Sequence, residues 1–372
     1  VTGEGWAEQA EAVRGWPVVP GAGGLGLWLS DRAAREALEP GVAEAFRADC
    51  AARGQYVFTL NGFPFGRFHG GTVKAAVYRP DWTDPQRRSH TERLAVLLAG
   101  WLPEGVGGSI STVPGWYRAD HPGDGATVAA RVAVEEALMG TAIALDRSAA
   151  EHGRDLCLGL EPEPGCAMEH LADIRDFFRG LFARAAAAGQ EACVRRRIGL
   201  CLDTCHAALA FEDPLDWIND AIREGIRLAK IQVSAALVLR RPDAVALDRL
   251  RAFDEPVYLH QAAARRGGEP LRWPDLPGAL AGLAGSPVVD ELRVHMHVPL
   301  DWPGDGVLGT TRELLTPAFW RAVASGVCPH LEVETYTYAV LPPAFAGAPL
   351  SVCAGRELAW ARAQVDHAGA SS

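Results

Sequence analysis

Short apolar runs recur along the chain. Each is closed by Gly, Pro or a charged residue, and most are followed by a longer Ala-, Leu- and Arg-rich stretch. Runs this short predict strands buried on both faces, and the longer stretches predict helices. The predicted strands begin near Gly24, Tyr56, Ser109, Leu156, Ile198, Leu228, Leu292 and Leu331. The predicted helices cover about 8–13, 33–52, 91–98, 126–152, 171–188, 214–223 and 354–365. Alternation of this kind builds βαβ units and a parallel sheet. Eight strands fit a closed (β/α)8 TIM barrel of class α/β, read as a single domain over 1–372 with a long insertion around 235–290 and a C-terminal helical tail. An open doubly wound sheet is the alternative. Its phosphate-loop fingerprint is missing, because the glycine-rich stretch Gly21–Gly26 precedes its strand instead of following one.

Within the strands, residues two apart share a face. The run from Ile198 ends in Asp203-Thr204-Cys205-His206, and that from Leu156 ends in Glu161-Pro162-Glu163. His295 and His297 alternate with Val294, Met296 and Val298, while Glu332, Glu334 and Tyr336 alternate with Leu331 and Val333. Lys230, Gln232 and Ser234 form a further inward set. Acids and imidazoles thus gather at the carboxyl ends of strands, where barrels do their chemistry. A carboxylate left alone inside a protein is costly unless paired or bound to a metal. The expected metal ligands are Glu163, Asp203, His206, His295, His297 and Glu334, with Glu163 and Glu334 preferred over the deeper Glu161 and Glu332. Mixed carboxylate and imidazole suits a divalent transition ion, Zn, Mn, Fe or Co, more than Mg or Ca. Other readings stand beside this one. Asp203 also suits the N-cap of the following helix, the two histidines could be satisfied interior imidazoles, and Cys201 and Cys205, which share the parity of Asp203, are expected to pack.

Composition narrows the partners. A formal charge of −10 argues against nucleic acid. No apolar run is long enough for a membrane span and no signal peptide is evident. The eight cysteines show no disulfide framework, which predicts reduced thiols and a cytoplasmic location.

The acid ending one strand, Asp-x-x-His on the next and Glu on the last resemble the xylose-isomerase-like TIM barrels. More narrowly, Thr59-Leu60-Asn61-Gly62-Phe63-Pro64, Ser109 to Pro114, Leu160 to Pro164, Cys201 to His206 and Leu331 to Tyr338 resemble EboE-type metabolite traffic proteins. The resemblance covers nearly the whole chain. Proteins of this type carry a further strand ahead of the first helix, with no counterpart after Val1. Epimerases of the superfamily place a metal-binding His on the strand after Asp-x-x-His, where this chain has Lys230, Gln232 and Ser234.

The resemblance implies a metal-dependent isomerase or epimerase, with Glu163 and Glu334 relaying a proton and Lys230 as the third catalytic candidate. A metal-dependent, phosphoesterase-like hydrolase and a non-catalytic traffic protein are the alternatives. It also implies association with other proteins of a metabolite-traffic cluster. The substrate is expected to be a small polyol-like or cyclic metabolite, aromatic rings included. Its contacts would be Asn61, Phe65, His69, Trp116, Gln232, His260 and Tyr336, with Phe63 and Trp302 at the mouth.

Overall fold

The structure, a computed structural model, describes residues 4–16, 18, 23–68, 72–284, 288–342 and 348–370. The strands are β1 (Gly24–Trp28), β2 (Tyr56–Asn61), β3 (Gly108–Thr112), β4 (Leu156–Leu160), β5 (Ile198–Asp203), β6 (Arg227–Val233), β7 (Ala236–Arg240), β8 (Ala262–Arg266), β9 (Glu269–Trp273), β10 (Glu291–His297), β11 (Gly309–Thr310) and β12 (Leu331–Val333). Two compact units hold them. The first is Val1–Cys201 with Asp220–Lys230, and the second is Leu202–Asn219 with Ile231–Ser372.

In the first unit, β1 to β5 pair in chain order, every pair parallel. All residues of β3 and β4 are buried, as unbroken apolar runs between helices require. Close packing has left marks in the sequence. A Cβ on Gly199 would come within 2.2 Å of the Arg227 carbonyl oxygen, so a side chain at 199 would push β5 and β6 apart. The stretch predicted as one helix from 33 to 52 is two, Asp31–Ala37 and Val42–Ala52. Pro40 cannot donate to a helix ladder and Gly41 takes a φ of 80°, so the chain turns there. The helix predicted over 91–98 starts earlier, at Pro85, behind an Asp84 cap that accepts from the Gln86 N–H.

In the second unit, the end of β6 pairs parallel with β12, Ile231 to Val233 against Leu331 to Val333. A five-stranded antiparallel sheet follows the order β11-β7-β10-β8-β9. Here the structure corrects the strand reading. The His295/His297 strand, expected to be parallel with the rest, is β10, antiparallel to both β7 and β8. Its alternation of apolar residue and histidine would look the same in either direction, and the partners come from the stretch expected as an insertion. β12 also stops at Val333, so Glu334 and Tyr336 sit in the loop beyond it. Likewise β4 stops at Leu160, and Glu161 and Glu163 follow it. No helix among the described residues is long and apolar enough to cross a membrane, and the eight cysteines are free thiols.

Candidate metal centre

Asp203 is the last residue of β5, and the helix Thr204–Leu209 begins at the next position. Its Oδ1 accepts from the backbone N–H groups of Cys205 (2.7 Å) and His206 (3.2 Å) and from the Ser234 hydroxyl (2.6 Å). Asp203 is therefore an N-cap, but that role takes one oxygen. Its Oδ2 is buried and meets no hydrogen-bond partner among the described residues.

The facing group comes from β10. His297 Nε2 lies 3.8 Å from Asp203 Oδ2 and likewise has no partner. Its Nδ1 donates to the Glu334 carbonyl at 2.7 Å. On the same strand His295 donates from Nδ1 to Gln261 Oε1 at 2.8 Å, and its Nε2 lies 3.1 Å from His206 Nε2. An oxygen of this kind only accepts, so each Nδ1 carries the proton and each Nε2 keeps a lone pair. Metal-binding histidines show this arrangement, with the far nitrogen pinned to a carbonyl or carboxylate.

A break in the ladder presents these imidazoles. β10 pairs Val294 with Leu237 and then His297 with Ala236, leaving His295 and Met296 unmatched on that side. Bulges re-aim side chains in this way beside sites. Burial, helped by the neighbouring histidines, pushes His295 well below the ordinary imidazole range and His297 to about 4. Both are thus neutral, the form that binds a metal.

One ligand atom each from Asp203, His206 and His297 lie within 4.8 Å of one another, as do one carboxylate oxygen each of Asp203 and Glu334. Asp203, His206, His295, His297 and Glu334 are all at most 6% exposed. Two bare carboxylates only accept, so they sit together through a shared proton or a cation. Burial, the largest influence on Asp203, would raise its pKa. His206 first, then His297, the Ser234 hydroxyl and a hydrogen bond with the Glu334 carboxyl outweigh it and hold the group below the usual carboxylate value. An ionised, buried carboxylate whose Oδ2 faces the lone pair of the neutral His297 imidazole fits a divalent transition ion.

The second unit also holds other expected residues. Gln232 donates from its amide to Glu334 Oε2. The Tyr336 ring stands 4.7 Å from that of His297 and 5.1 Å from that of Tyr258. His260, expected to touch substrate, has both ring nitrogens engaged, one on the His295 carbonyl (2.8 Å) and one on Glu255 (2.7 Å). Trp302 is half-buried.

The remaining candidates belong to the first unit. Glu163 Oε1 accepts from the Tyr78 hydroxyl at 2.8 Å, and burial raises the Tyr78 pKa, so the phenol stays a donor. Lys230 is fully buried with Nζ 3.4 Å from Ser111 Oγ. Asn61 accepts from the Phe63 N–H at 3.1 Å. Trp116 packs edge-on to His121, and Phe65 edge-on to His90. His69 lies outside the described residues. Sequence reasoning missed Gln261 and Glu255, which orient the histidines. Nothing marks them in the sequence, whereas Ser234 was visible through its parity with Gln232.

No family model and no curated protein matches the chain. Among solved structures it is similar to a xylose isomerase-like TIM barrel protein from Mycobacterium smegmatis in complex with magnesium. That match has 13% identity and a TM-score of 0.51, over 98% of this chain and 89% of that one. It is also similar to the D-psicose 3-epimerase from Clostridium cellulolyticum H10, at 12% identity and a TM-score of 0.48, over 97% and 96% of the two chains. A third match is a xylose isomerase domain protein from Alicyclobacillus acidocaldarius, at 13% identity and a TM-score of 0.44, over 92% and 89%. The first likeness shows the fold: this chain is an α/β TIM barrel, similar in fold to that xylose isomerase-like protein.

Proposed function

We propose that the chain is a divalent-metal-dependent enzyme that moves a proton on a small polyol-like or cyclic metabolite, as isomerases and epimerases do. The observation that carries this reading is the pair of unpartnered buried atoms, Asp203 Oδ2 and His297 Nε2, 3.8 Å apart. Asp203, His206 and His297 would hold the ion, with His295 and Glu334 beside them. Bound there, a Zn, Mn, Fe or Co ion supplies Lewis-acid polarisation of a carbonyl or hydroxyl. The residues supply the rest. Gln232 donates to one oxygen of Glu334, and this carboxylate would take up and return the proton. Tyr336 gives a ring beside His297 for a cyclic substrate. Glu163 and Lys230 stay catalytic candidates on the strength of the sequence pattern alone.

A sugar or metabolite without phosphate suits this centre better than a phosphate ester. The side chains bonded to it, Ser234, Gln232 and Gln261, are neutral, whereas phosphate recognition calls for Arg or Lys. Eight free thiols support a reducing, cytoplasmic setting. The EboE-type resemblance adds metabolite traffic, and partner proteins of such a cluster, to the proposal.

The test is metal analysis of protein purified without added metal. Deuterium exchange from solvent into a panel of neutral polyols and cyclic hydroxyketones would follow. Stoichiometric metal with exchange is the expected result. Metal with ester hydrolysis and no exchange would move the reading to a hydrolase, and metal with neither would move it to a carrier.

A further inference from the structure

We propose that Cys205 is a metal ligand, and that the centre takes a zinc-class ion on a thiolate and two imidazoles. This rests on the metal-centre reading above and adds a ligand and an ion class to it. Cys205 Sγ and one nitrogen each of His295 and His297 lie within 4.8 Å of one another, all three residues buried. Two further observations set this apart from a thiol that merely packs. The Nδ1 atoms of both histidines are spent, on Gln261 and on the Glu334 carbonyl, and His297 Nε2 is buried without a partner. The backbone of Cys205 is also fixed, its N–H shared between Asp203 Oδ1 (2.7 Å) and Ser234 Oγ (2.9 Å).

His297 therefore belongs to two overlapping sets. Asp203, His206 and His297 offer oxygen and nitrogen, and Cys205, His295 and His297 offer sulfur and nitrogen. Softer ions choose the second set, because thiolate prefers Zn2+ or Co2+ to Mg2+ or Mn2+. Loading replaces the S–H bond by an S–metal bond and releases the thiol proton to solvent, with no change of oxidation state. Three protein ligands leave a tetrahedral ion one position for substrate or water. Cys205 packs in a buried cluster with Leu209, Ala236 and Ala263, a setting that suits substitution by alanine.

The experiment strips the full chain with a chelator, titrates it with Co2+ alone and records electronic absorption. A thiolate-to-cobalt charge-transfer band in the near ultraviolet is expected. Cys205→Ala should lose it while still binding Co2+ through the other set, and Cys201→Ala should keep it. Should Cys205→Ala not fold, Cys205→Ser serves the same purpose. Stoichiometric Co2+ without the band, or a band that survives loss of Cys205, overturns the thiolate and leaves the metal centre standing. A wild-type chain that binds no Co2+ overturns both.

Discussion

Asp203 Oδ2 and His297 Nε2 face each other across 3.8 Å, and neither finds a hydrogen-bond partner among the described residues. One is an acceptor, and the other, its Nδ1–H given to the Glu334 carbonyl, is an acceptor as well. Two buried acceptors aimed at one point are unfavourable unless something positive lies between them. Asp203→Asn tests that. The amide can still present an oxygen to the Cys205 and His206 N–H groups, so the cap survives, while an NH2 replaces Oδ2. The variant should fold and lose stoichiometric Mn2+, an ion that the Cys205, His295 and His297 set does not favour. Thermal melts should agree: Mn2+ at a hundred times its Kd stabilises by about 2.7 kcal/mol, and that upward shift should be absent in the variant. An equal shift in both proteins would refute the assignment.

Glu357 should hold the same centre in place from a distance. It lies on the C-terminal helix Leu350–Ala370, only 1% exposed. Its Oε2 accepts from the Leu300 N–H (2.7 Å) and the Thr335 hydroxyl (2.8 Å), and its Oε1 from the Tyr338 hydroxyl. Leu300 follows His297 on the chain and Thr335 follows Glu334, so one carboxylate ties both loops. Glu357→Ala should lower stability by about 3 kcal/mol, the scale of buried hydrogen bonds to a charged group. It should also weaken metal binding about tenfold, as loss of outer supports does. Denaturant titration and metal titration measure the two effects. Unchanged metal affinity would make Glu357 structural only.

His90 gives a pH prediction in the first unit. It is fully buried, its Nδ1 is 3.5 Å from Asp31 Oδ1, and neither ring nitrogen makes a hydrogen bond. Burial first, then the charges of Arg87 and Arg93, pull its pKa from 6.5 to about 4 against the opposing pull of Asp31. Between those values the unfolded chain takes up a proton that the folded chain refuses, so stability falls as pH drops through the window. From pH 7 to pH 5 this amounts to about 2 kcal/mol. His90→Phe, or His90→Gln should the larger ring not fit, should lose that much less over the same interval in urea titrations. Identical pH responses would refute it.

The parts of the sequence that proved legible were those in which one residue's chemistry contradicts its surroundings. Asp203 ends an unbroken apolar run, and His295 and His297 interrupt another, so their burial could be read from pattern alone. Sheet membership could not. Alternation fixes which residues share a face but not whether the neighbour runs parallel, and β10 paired with β7 and β8 from a stretch that looked like an insertion. The break in pairing at His295 and Met296 is also silent in the sequence, because it depends on where Ala236 ends the partner strand. Supporting residues were the least legible. Gln261 and Glu255 act on histidines through single hydrogen bonds set by tertiary packing, and an isolated Gln or Glu in a loop carries no periodic signal.

The remaining prediction concerns substrate. The half-buried Tyr336 ring stands 4.7 Å from His297 and 5.1 Å from Tyr258, an aromatic wall at the edge of the centre. Burial raises the Tyr258 pKa, so its phenol stays neutral. A neutral wall beside a metal favours a ring or a polyol over an anion. Aromatic contacts of this kind are worth about 0.5–1.5 kcal/mol, so Tyr336→Ala should raise KM by up to roughly tenfold with kcat little changed, and Tyr336→Phe should stay near wild type. A thermal-shift panel with metal present gives the same information before any activity is known. Neutral polyols and cyclic or aromatic metabolites should stabilise wild type, and less so Tyr336→Ala. If sugar phosphates stabilise strongly while neutral compounds do nothing, the substrate carries a phosphate, and a sugar-phosphate isomerase becomes the better description of this barrel.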